Sequence, residues 1–406
     1  MKNIYIYTTM ICVLCLFSLK AQQTPANVQD EAISVVGATA HIGDGTTIEN
    51  ATIVFENGLI KEIGSSSAIK SIGTIIEAQG KHVYPGFILP NSTLGLGEID
   101  AVRATRDFDE LGSILPHVRS LIAYNAESKV VESMRPNGIL MAQITPRGGR
   151  ISGSSSIVQL DAWNWEDAAV KIDDGIHINW PQTYSRRYDP SKGIVVSNEN
   201  KNYEKEVNEL KGFMTEAKAY QNASASKVNL PYAAVKGVFD KTQKVYVHVK
   251  NQKGITDAIS TMKSLGIDQM ILVGADEAYK TMDLIKKENI PVLIKRVHSL
   301  PNKEDDDYDL PYKNAATLFK NGILVALENS GDMERMNGRN LPFYAGTVTA
   351  YGLSNEEALQ LISLNPAKIL GIDVQYGSLE KGKSATLFIS EGNALDMRGN
   401  ILTRAF

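Results

Sequence analysis

Three short apolar segments separated by two longer helical segments constrain the middle of the chain. The apolar segments are residues 244–249, 269–273 and 290–294, and the helical segments between them are residues 254–265 and 277–288. A right-handed strand–helix–strand connection returns the chain to the same end of the sheet, so strands joined in this way lie parallel. This region therefore predicts a parallel sheet covered by helices.

The two ends of the chain show a different period. From Ala32 to Ile76 apolar and polar residues alternate, and Asn57-Gly58 between two such runs is a strong hairpin signal. Short strand-like runs return at Tyr376–Leu379 and Ala385–Ser390. We therefore expect both ends of the chain to contribute strands to one small β-sandwich.

The residues between these ends suit a barrel better than two separate domains. We expect an α/β protein with a TIM-type (β/α)8 barrel over residues 85–372 and a composite β-sandwich of residues 22–84 plus 373–406. Residues 179–223 do not fit the barrel repeat and predict an insertion. Its charged helical stretch carries an apolar face and is either a lid or a packed surface helix. That face consists of Val207, Leu210, Phe213 and Met214.

The N-terminus has the order of a secretory signal. Lys2 precedes an apolar run from Ile4 to Leu19, which is shorter than the roughly 20 residues that span a bilayer. We expect residues 1–21 to be a signal peptide and the protein to be exported to the periplasm; a membrane anchor is the alternative. The sequence's two cysteines, Cys12 and Cys15, lie in this segment, so neither disulfides nor cysteine ligands are expected after cleavage.

Composition bears on the class of partner. The 406 residues carry a net charge of -4, with 43% hydrophobic residues and no long basic tract. A chain of this kind is typical of a soluble globular protein, and no nucleic-acid partner is expected.

Four segments in register carry a family resemblance: Gly80–Ile88, Leu353–Leu359, Asn365–Gly371 and Gly377–Lys383. Their order and spacing resemble the amidohydrolase superfamily, in particular its imidazolonepropionase-like branch. The resemblance implies a barrel that hydrolyses carbon–nitrogen bonds other than peptide bonds, such as those of cyclic amides. It also implies metal ligands at the carboxyl ends of the barrel strands.

The implied ligands are an aspartate and two histidines after the first strand, one histidine each on the fifth and sixth strands, and an aspartate on the eighth. The corresponding residues here are Leu89, Asn91, Thr93, His248, Val273-Gly274 and Ser330. His248 is the only matching ligand. Since a complete zinc site provides about 10 to 16 kcal/mol, one imidazole provides on the order of 3 to 4 kcal/mol, a millimolar dissociation constant.

The resemblance therefore predicts a pseudoenzyme with no tightly bound metal and with weak or no hydrolysis. A binding cavity should remain, lined by Asn91, Thr93, His248 and Ser330. We expect it to accept a small cyclic amide or a peptide-like ligand.

Two alternatives remain open. One is an active hydrolase with a non-standard zinc site around His248, Glu328 and Asp332, joined by His298 if that residue lies at the barrel mouth. The other is a non-catalytic scaffold or partner subunit, acting as a homo-oligomer or paired with a metal-competent relative.

The other histidines and one glycine-rich segment have less specific expectations. His41 and His82 are expected in or beside the small sheet, and His117 and His177 in loops. Residues 146–156 are rich in glycine and hydroxyl groups that can bind an anion through backbone amides, but they are more typical of a barrel loop.

Overall fold

The computed structural model describes residues 25–221, 227–331 and 333–406. The predicted signal peptide and Asp332 therefore lie outside the described residues.

Strands from both ends of the chain share one sheet. These are β1 (Ile33–His41), β2 (Thr47–Glu56), β3 (Leu59–Ser65), β4 (Thr74–Glu77), β5 (His82–Pro85), β16 (Leu387–Ser390) and β17 (Leu402–Ala405). Their order is β17-β16-β5-β1-β2-β3, and β4 pairs with β1. Asn57 and Gly58 connect β2 to β3 with φ angles of 53° and 72°, the left-handed conformation that a tight hairpin turn requires.

The second large sheet has eight strands that are neighbours in chain order. They are β6 (Phe87–Ser92), β7 (Ile139–Ile144), β8 (Ile151–Gln159), β9 (Ala169–Asn179), β12 (Lys244–Val249), β13 (Met270–Gly274), β14 (Val292–Ile294) and β15 (Val325–Leu327). This sheet forms a nearly closed barrel, which confirms the predicted fold class.

One strand departs from the predicted parallel arrangement. β8 pairs antiparallel with both β7 and β9, whereas the other neighbouring strands of the barrel pair parallel. Residues 145–150 between β7 and β8 are too few for a parallel crossover, so the chain turns back directly. The prediction of a loop over residues 146–156 is therefore wrong from Ile151 onward.

Backbone carbonyl groups in the segment just before the last helix join the two end strands of the barrel. The Leu327 N–H at the end of β15 donates to the Leu361 carbonyl at 3.0 Å, and the Ile88 N–H in β6 donates to the Ile362 carbonyl at 2.9 Å. These bonds satisfy edge groups that would otherwise be exposed on an open sheet.

The helices pack mainly around the barrel. They are α1 (Lys129–Glu132), α2 (Trp165–Ala168), α3 (Tyr203–Gln221), α4 (Leu230–Ala234), α5 (Lys236–Phe239), α6 (Gln252–Ser264), α7 (Met282–Lys287), α8 (Leu310–Lys320), α9 (Glu334–Asn337), α10 (Leu341–Thr349), α11 (Asn355–Gln360) and α12 (Leu364–Leu370). Short 3₁₀ helices occur at Arg103–Thr105, Ser120–Ala123, Arg135–Asn137, Ala278–Lys280 and Gly338–Asn340. Within the described ranges, no helix has the length and apolar character needed to cross a bilayer.

The predicted insertion contains a hairpin and a long helix. Strands β10 (Tyr184–Asp189) and β11 (Ile194–Glu199) pair only with each other, and α3 follows. The helix buries Leu210, Phe213 and Met214 and leaves its charged side to solvent. This is the arrangement of a packed surface helix.

The lower part of the barrel interior is apolar. Inward-pointing side chains from seven strands pack together with the last helix, α12, beneath them. These strand residues are Ile88, Met141, Ile157, Tyr246, Ile271, Leu293 and Ala326. Apolar packing in this layer confines the polar interior positions to the other end of the strands.

An aromatic cluster joins the small sheet to the barrel. The Phe388 ring of β16 stacks on Tyr84 of β5 with centroids 5.4 Å apart and meets the edge of Phe87 in β6 at 4.9 Å. All three rings are buried. Gly138 lies beside this cluster with φ of 83°, and a Cβ there would come within 2.5 Å of the Phe388 ring.

Removal of the central ring should weaken this junction. The variant Phe388→Ala is expected to lower the free energy of unfolding by about 3 to 5 kcal/mol, because it leaves a cavity among packed rings. Urea denaturation followed by tryptophan fluorescence measures the change. The exposed Val374 provides a control, since Val374→Ala should change the same quantity by less than about 0.5 kcal/mol. A loss for Phe388→Ala as small as that of the control would contradict the role of the cluster.

Candidate functional site

A ring of polar side chains lies inside the upper part of the barrel. Alternation along each strand places one inward residue above the apolar layer on most strands. These residues are Gln143, Ser155, His177, His248 and Glu328, and Asn91 joins them from the irregular end of β6. The position on β13 is Val273, which is apolar and buried.

The first strand ends in an unusual backbone conformation at Asn91. Its φ of 51° lies in the left-handed region, and the pairing of β6 with β7 is irregular between Leu89 and Ser92. Asparagine tolerates this region better than most residues. The Asn91 N–H donates to Gln143 Oε1 at 3.0 Å, and its side-chain Nδ2 donates to Glu328 Oε2 at 3.2 Å.

A guanidinium group lies among these residues. Arg147 Nη1 donates to Asn91 Oδ1 at 3.1 Å, and Nη2 donates to the Asn91 carbonyl at 2.8 Å and to Glu334 Oε1 at 3.0 Å. The Thr93 hydroxyl donates to the same Glu334 oxygen at 2.5 Å. Asn91 and Thr93 are thus held by Arg147 and Glu334.

The carboxyl group of Glu328 is fully buried next to Asn91. The Ser330 hydroxyl donates to Oε1 at 2.7 Å, and the Ser330 N–H donates to Oε2. Burial raises the pKa of Glu328 to about 7; the two Ser330 bonds and the Arg147 charge oppose this rise, whereas Glu334 adds to it. Glu328 therefore lies close to its titration midpoint at neutral pH.

A second series of hydrogen-bonded side chains ends at His248. The Ser155 hydroxyl donates to Asp174 Oδ1 at 2.6 Å, so it accepts from His177 Nε2 at 2.8 Å. The other nitrogen of a neutral His177, Nδ1, then accepts from His248 Nε2 at 2.9 Å. This chain assigns the Nε2–H tautomer to His248 and leaves its Nδ1 as an acceptor.

The pKa values of these hydrogen-bonded residues agree with neutral imidazoles. Burial, followed by the Arg147 charge, lowers the pKa of His248 to about 3. Burial, then His248 and Arg147, lowers the pKa of His177 well below its usual value. Burial raises the pKa of Asp174, and hydrogen bonds from Ser155 and Tyr246 oppose that rise.

The structure brings together some of the predicted site residues. Asn91, Glu328 and Ser330 form one hydrogen-bonded group, and Thr93 joins it through Glu334. His248 lies on a neighbouring chain of bonds with His177. Asp332 is outside the described residues.

The remaining histidines are placed as follows. The predicted loop position of His177 is wrong, because this residue lies in β9 and is fully buried. His298 bonds the Thr347 hydroxyl at 2.7 Å and meets the Tyr344 ring, and no described contact joins it to His248. His41 and His82 bond each other in the small sheet.

Several site residues were missed from the sequence. Two of them, Gln143 and His177, carry a simple signal, a polar residue flanked by apolar ones in a short strand-like run, as in Leu140–Ile144 around Gln143. Arg147 gives no such signal, since it precedes two glycines in a segment with loop composition. The missed residues are Gln143, Arg147, Ser155, Asp174, His177 and Glu334.

Known proteins share both the sequence pattern and the fold. The model of the amidohydrolase family matches residues 314–403. Imidazolonepropionase of Thermoplasma volcanium is 23% identical over 377 residues, covering 88% of this chain and 89% of the relative. Imidazolonepropionase of Clostridium tetani is 24% identical over 385 residues, covering 85% of each chain.

A solved structure is similar over nearly the whole length. An amidohydrolase from Thermotoga maritima superposes with a TM-score of 0.79 at 23% identity, covering 92% of this chain and 97% of the other, which shows the shared fold. The sequence matches and this fold both make the chain similar to proteins of the amidohydrolase superfamily. Within the superfamily, the chain is similar to the imidazolonepropionase-like branch.

The side chains at the positions where the resemblance implies metal ligands do not fit a zinc ion. Zinc prefers imidazole, thiolate and carboxylate ligands, whereas Asn91, Thr93 and Ser330 supply an amide and two hydroxyls. The Arg147 guanidinium on Asn91 also repels a dication. Within residues 25–221, 227–331 and 333–406, no group of three or more His, Cys, Asp or Glu side chains has a metal-binding arrangement.

The raised pKa of Glu328 predicts a pH-dependent stability. Its value of about 7 in the folded protein, against 4.5 ordinarily, means that the folded state holds the proton more tightly. This contribution is fully present below about pH 4.5 and is lost as the pH rises through about 7, a change of about 3 kcal/mol. Glu328→Gln removes the titration, so its free energy of unfolding should rise relative to wild type between about pH 5 and about pH 8.

Urea denaturation of both proteins at each pH measures this difference. The exposed Glu204 gives a matched control, because Glu204→Gln removes a carboxylate that has no described hydrogen bond or ion pair. A difference between Glu328→Gln and wild type that stays constant over this pH range would show that Glu328 is ionised throughout.

Proposed function

We propose that this protein binds small cyclic amides at the barrel mouth and hydrolyses them weakly or not at all. The observation that carries the proposal is the bonding of the Arg147 guanidinium to Asn91, at a position where the family has a metal-ligating histidine. A permanent organic cation lies there, hydrogen-bonded to both the side chain and the backbone of Asn91.

The hydrogen-bonding groups of Arg147 and His248 support an amide as the ligand. A cyclic amide is held cis, so its N–H donor and carbonyl acceptor lie on one edge of the ring. The Nη groups of Arg147 already donate to Asn91, Glu334 and the Pro146 carbonyl, so the donor without a described bond is its Nε–H. The tautomer of His248 leaves Nδ1 as an acceptor. The charge of Arg147 affects the pKa of His248, which indicates that the two groups are near each other. Together they offer the donor and acceptor that match such an edge.

Hydrolysis requires an activated water, and the described residues are poorly equipped for it. Both oxygens of the Glu328 carboxylate already accept hydrogen bonds, from Ser330 and Asn91. A general base must instead be free to accept a proton from water within hydrogen-bond reach. Binding without efficient turnover is therefore the function that this geometry favours.

Other parts of the proposal rest on sequence patterns. We infer export to the periplasm from residues 1–21, and a division into residues 22–84 plus 373–406 and residues 85–372. We further propose that the protein acts as a homo-oligomer or together with a metal-competent relative. Because its relatives are imidazolonepropionases, imidazolonepropionate is the first ligand to test, followed by hydantoin and cyclic dipeptides.

Zinc retention tests the loss of the metal site. After incubation with zinc and dialysis, the wild-type protein should retain well under one equivalent, since one imidazole yields about millimolar affinity. Arg147→Met should bind zinc more tightly than wild type, because a repelling charge is removed. Adding Asn91→His, Thr93→His and Ser330→Asp to it should bring retention towards one equivalent, measured by atomic absorption.

The neighbouring Arg150 serves as the control for charge. It bonds the Asn179 carbonyl and Glu206 rather than Asn91, so Arg150→Met should leave zinc affinity unchanged. About one equivalent retained by the wild type would overturn the proposal and favour the active hydrolase with ligands among His248, Glu328 and Asp332.

Ligand binding tests the other half of the proposal. Hydantoin or imidazolonepropionate should raise the unfolding temperature of the wild-type protein, and calorimetry should show saturable binding. Arg147→Met should weaken this binding by about tenfold or more, because a charged donor to the ligand carbonyl is lost. Product formation should remain near the uncatalysed rate.

Arg150→Met again provides the matched control and should bind as the wild type does. A ligand affinity that is the same in Arg147→Met as in wild type would place the ligand elsewhere. Absence of any thermal shift with the whole panel would favour the scaffold.

A further inference from the structure

The small sheet has a notch beside the short strand β4. β4 pairs parallel with the first residues of β1, whereas β5 pairs parallel with later residues of β1. On the other side of β5 lies β16, whose last residue, Ser390, is opposite His82 at the start of β5. Among the described strands, none pairs with the side of β4 that faces away from β1.

A cavity of about 310 Å3 occupies this notch. The whole of β4 forms one side of it, and the rest is lined by Lys81, Ile389, Thr403 and Arg404. Its volume is at the lower end of the range of small-molecule pockets, about 300 to 1,000 Å3. The notch therefore has room for a short segment of extended chain.

Backbone groups of β4 point into the notch. The N–H groups of Thr74 and Ala78 both donate to carbonyls in or just before β1, at 2.8 Å each. Because alternate residues of a strand direct their backbone groups to opposite sides, Ile75 and Glu77 direct theirs away from β1. In the described structure these two N–H groups and two carbonyls have no hydrogen-bond partner. They form the free edge that an added strand can pair with.

Two cations lie at the end of the notch towards which β4 runs. Lys81 follows β4 along the chain and pairs with Glu391 at 2.7 Å. Arg404 lies opposite Ile389, which in turn lies opposite Val83 of β5. The side chain of Arg404 is exposed and, in the described part of the chain, makes no hydrogen bond or ion pair. One cation at this end is thus paired within the protein, and the other is not.

These charges select the direction of an added strand. A short peptide running parallel to β4 brings its C-terminal carboxylate to Arg404, whereas an antiparallel peptide brings its N-terminal ammonium group there. The carboxylate is attracted by the guanidinium and the ammonium group is repelled. The remaining charge of the lining, Glu77, lies on β4 itself and therefore faces the body of the added strand. It disfavours acidic side chains there, so the terminal carboxylate is the negative charge that fits.

We propose that the free edge of β4 binds the C-terminal end of an extended peptide, which adds parallel to β4 and places its terminal carboxylate on Arg404. Backbone hydrogen bonds to Ile75 and Glu77 would provide affinity, and Arg404 would select the free C-terminus. The side chain of Ile75, which is 53% exposed, offers an apolar contact to a β-branched residue of the peptide. The site lies in the small sheet, so this inference does not depend on the proposed amide site.

A pair of synthetic peptides tests the role of the carboxylate. The probe is Gly-Thr-Val-Thr-Val labelled with fluorescein at its N-terminus, prepared as the free acid and as the C-terminal amide. Fluorescence polarisation should show the acid binding about fivefold more tightly than the amide, the difference expected for one exposed charge pair. Arg404→Met should remove this preference by weakening binding of the acid alone. The exposed Arg398 lies outside the notch, so Arg398→Met should bind both peptides as the wild type does.

A proline substitution tests the pairing of the backbone. Ile75→Pro removes an N–H group that points into the notch, at an edge position where proline is tolerated. Both peptides should bind this variant about fivefold more weakly, the loss expected for one backbone hydrogen bond. Ile75→Val keeps the N–H group and should bind as the wild type does. Unfolding temperatures verify that each variant remains folded.

Several results would overturn the inference. It is wrong if the free acid shows no saturable binding up to about 1 mM, or if acid and amide bind equally. It is also wrong if Arg404→Met keeps the preference for the acid, or if Ile75→Pro binds both peptides as the wild type does. If sedimentation shows a dimer for the wild type and a monomer for Ile75→Pro, a second copy of the chain occupies this edge and the peptide site is wrong.

Discussion

Hydrogen-bond satisfaction of polar side chains buried inside the barrel is the constraint on which the site depends. Asp174, fully enclosed, accepts from Ser155, Gln143 and Tyr246, and through Ser155 the same chain of bonds reaches His177 and then His248. Each member fixes the proton position of the next, because an unpaired polar group there would lose its hydration without compensation. The acceptor nitrogen of His248 is therefore set by residues that never reach the barrel mouth.

Arg147 brings a charge of a different kind from that of a metal ion. A metal can dissociate and activates a bound water, whereas a guanidinium is covalently held and offers only N–H donors in a plane. Its bonds to Asn91 and Glu334 hold the first strand and the start of α9 together at the mouth. The charge also favours neutral His177 and His248, so these imidazoles remain acceptors and donors rather than cations. The site is polar and fixed, and suits recognition better than bond cleavage.

The sequence predicted the barrel and the shared sheet because their signals are repeated along the chain, as in the strand–helix units of residues 244–294 and the Asn57-Gly58 turn. It also predicted Asn91 and Ser330 in one cavity, because the family motif aligns both at strand ends. Both bond the carboxyl group of Glu328, which the sequence had suggested only for the alternative zinc site. It failed for His177 and Arg147. Their roles depend on which residues face one another across the barrel, and a single strand or loop does not carry that information.

The direction of β8 explains how Arg147 comes to occupy the mouth. A parallel strand after β7 would need a crossover of a dozen or more residues, which carries the chain away over the outside of the barrel. Because β8 is antiparallel, residues 145–150 instead make a short connection at the carboxyl end of β7. Arg147 lies in the middle of that connection, a few residues beyond Gln143, and its side chain meets the bulged end of β6 at Asn91. A local reversal of one strand thus places a fixed cation beside Asn91, and the two features support each other. The amide of Asn91 accepts a hydrogen bond from a guanidinium, whereas an imidazole bound to a metal ion would repel that charge.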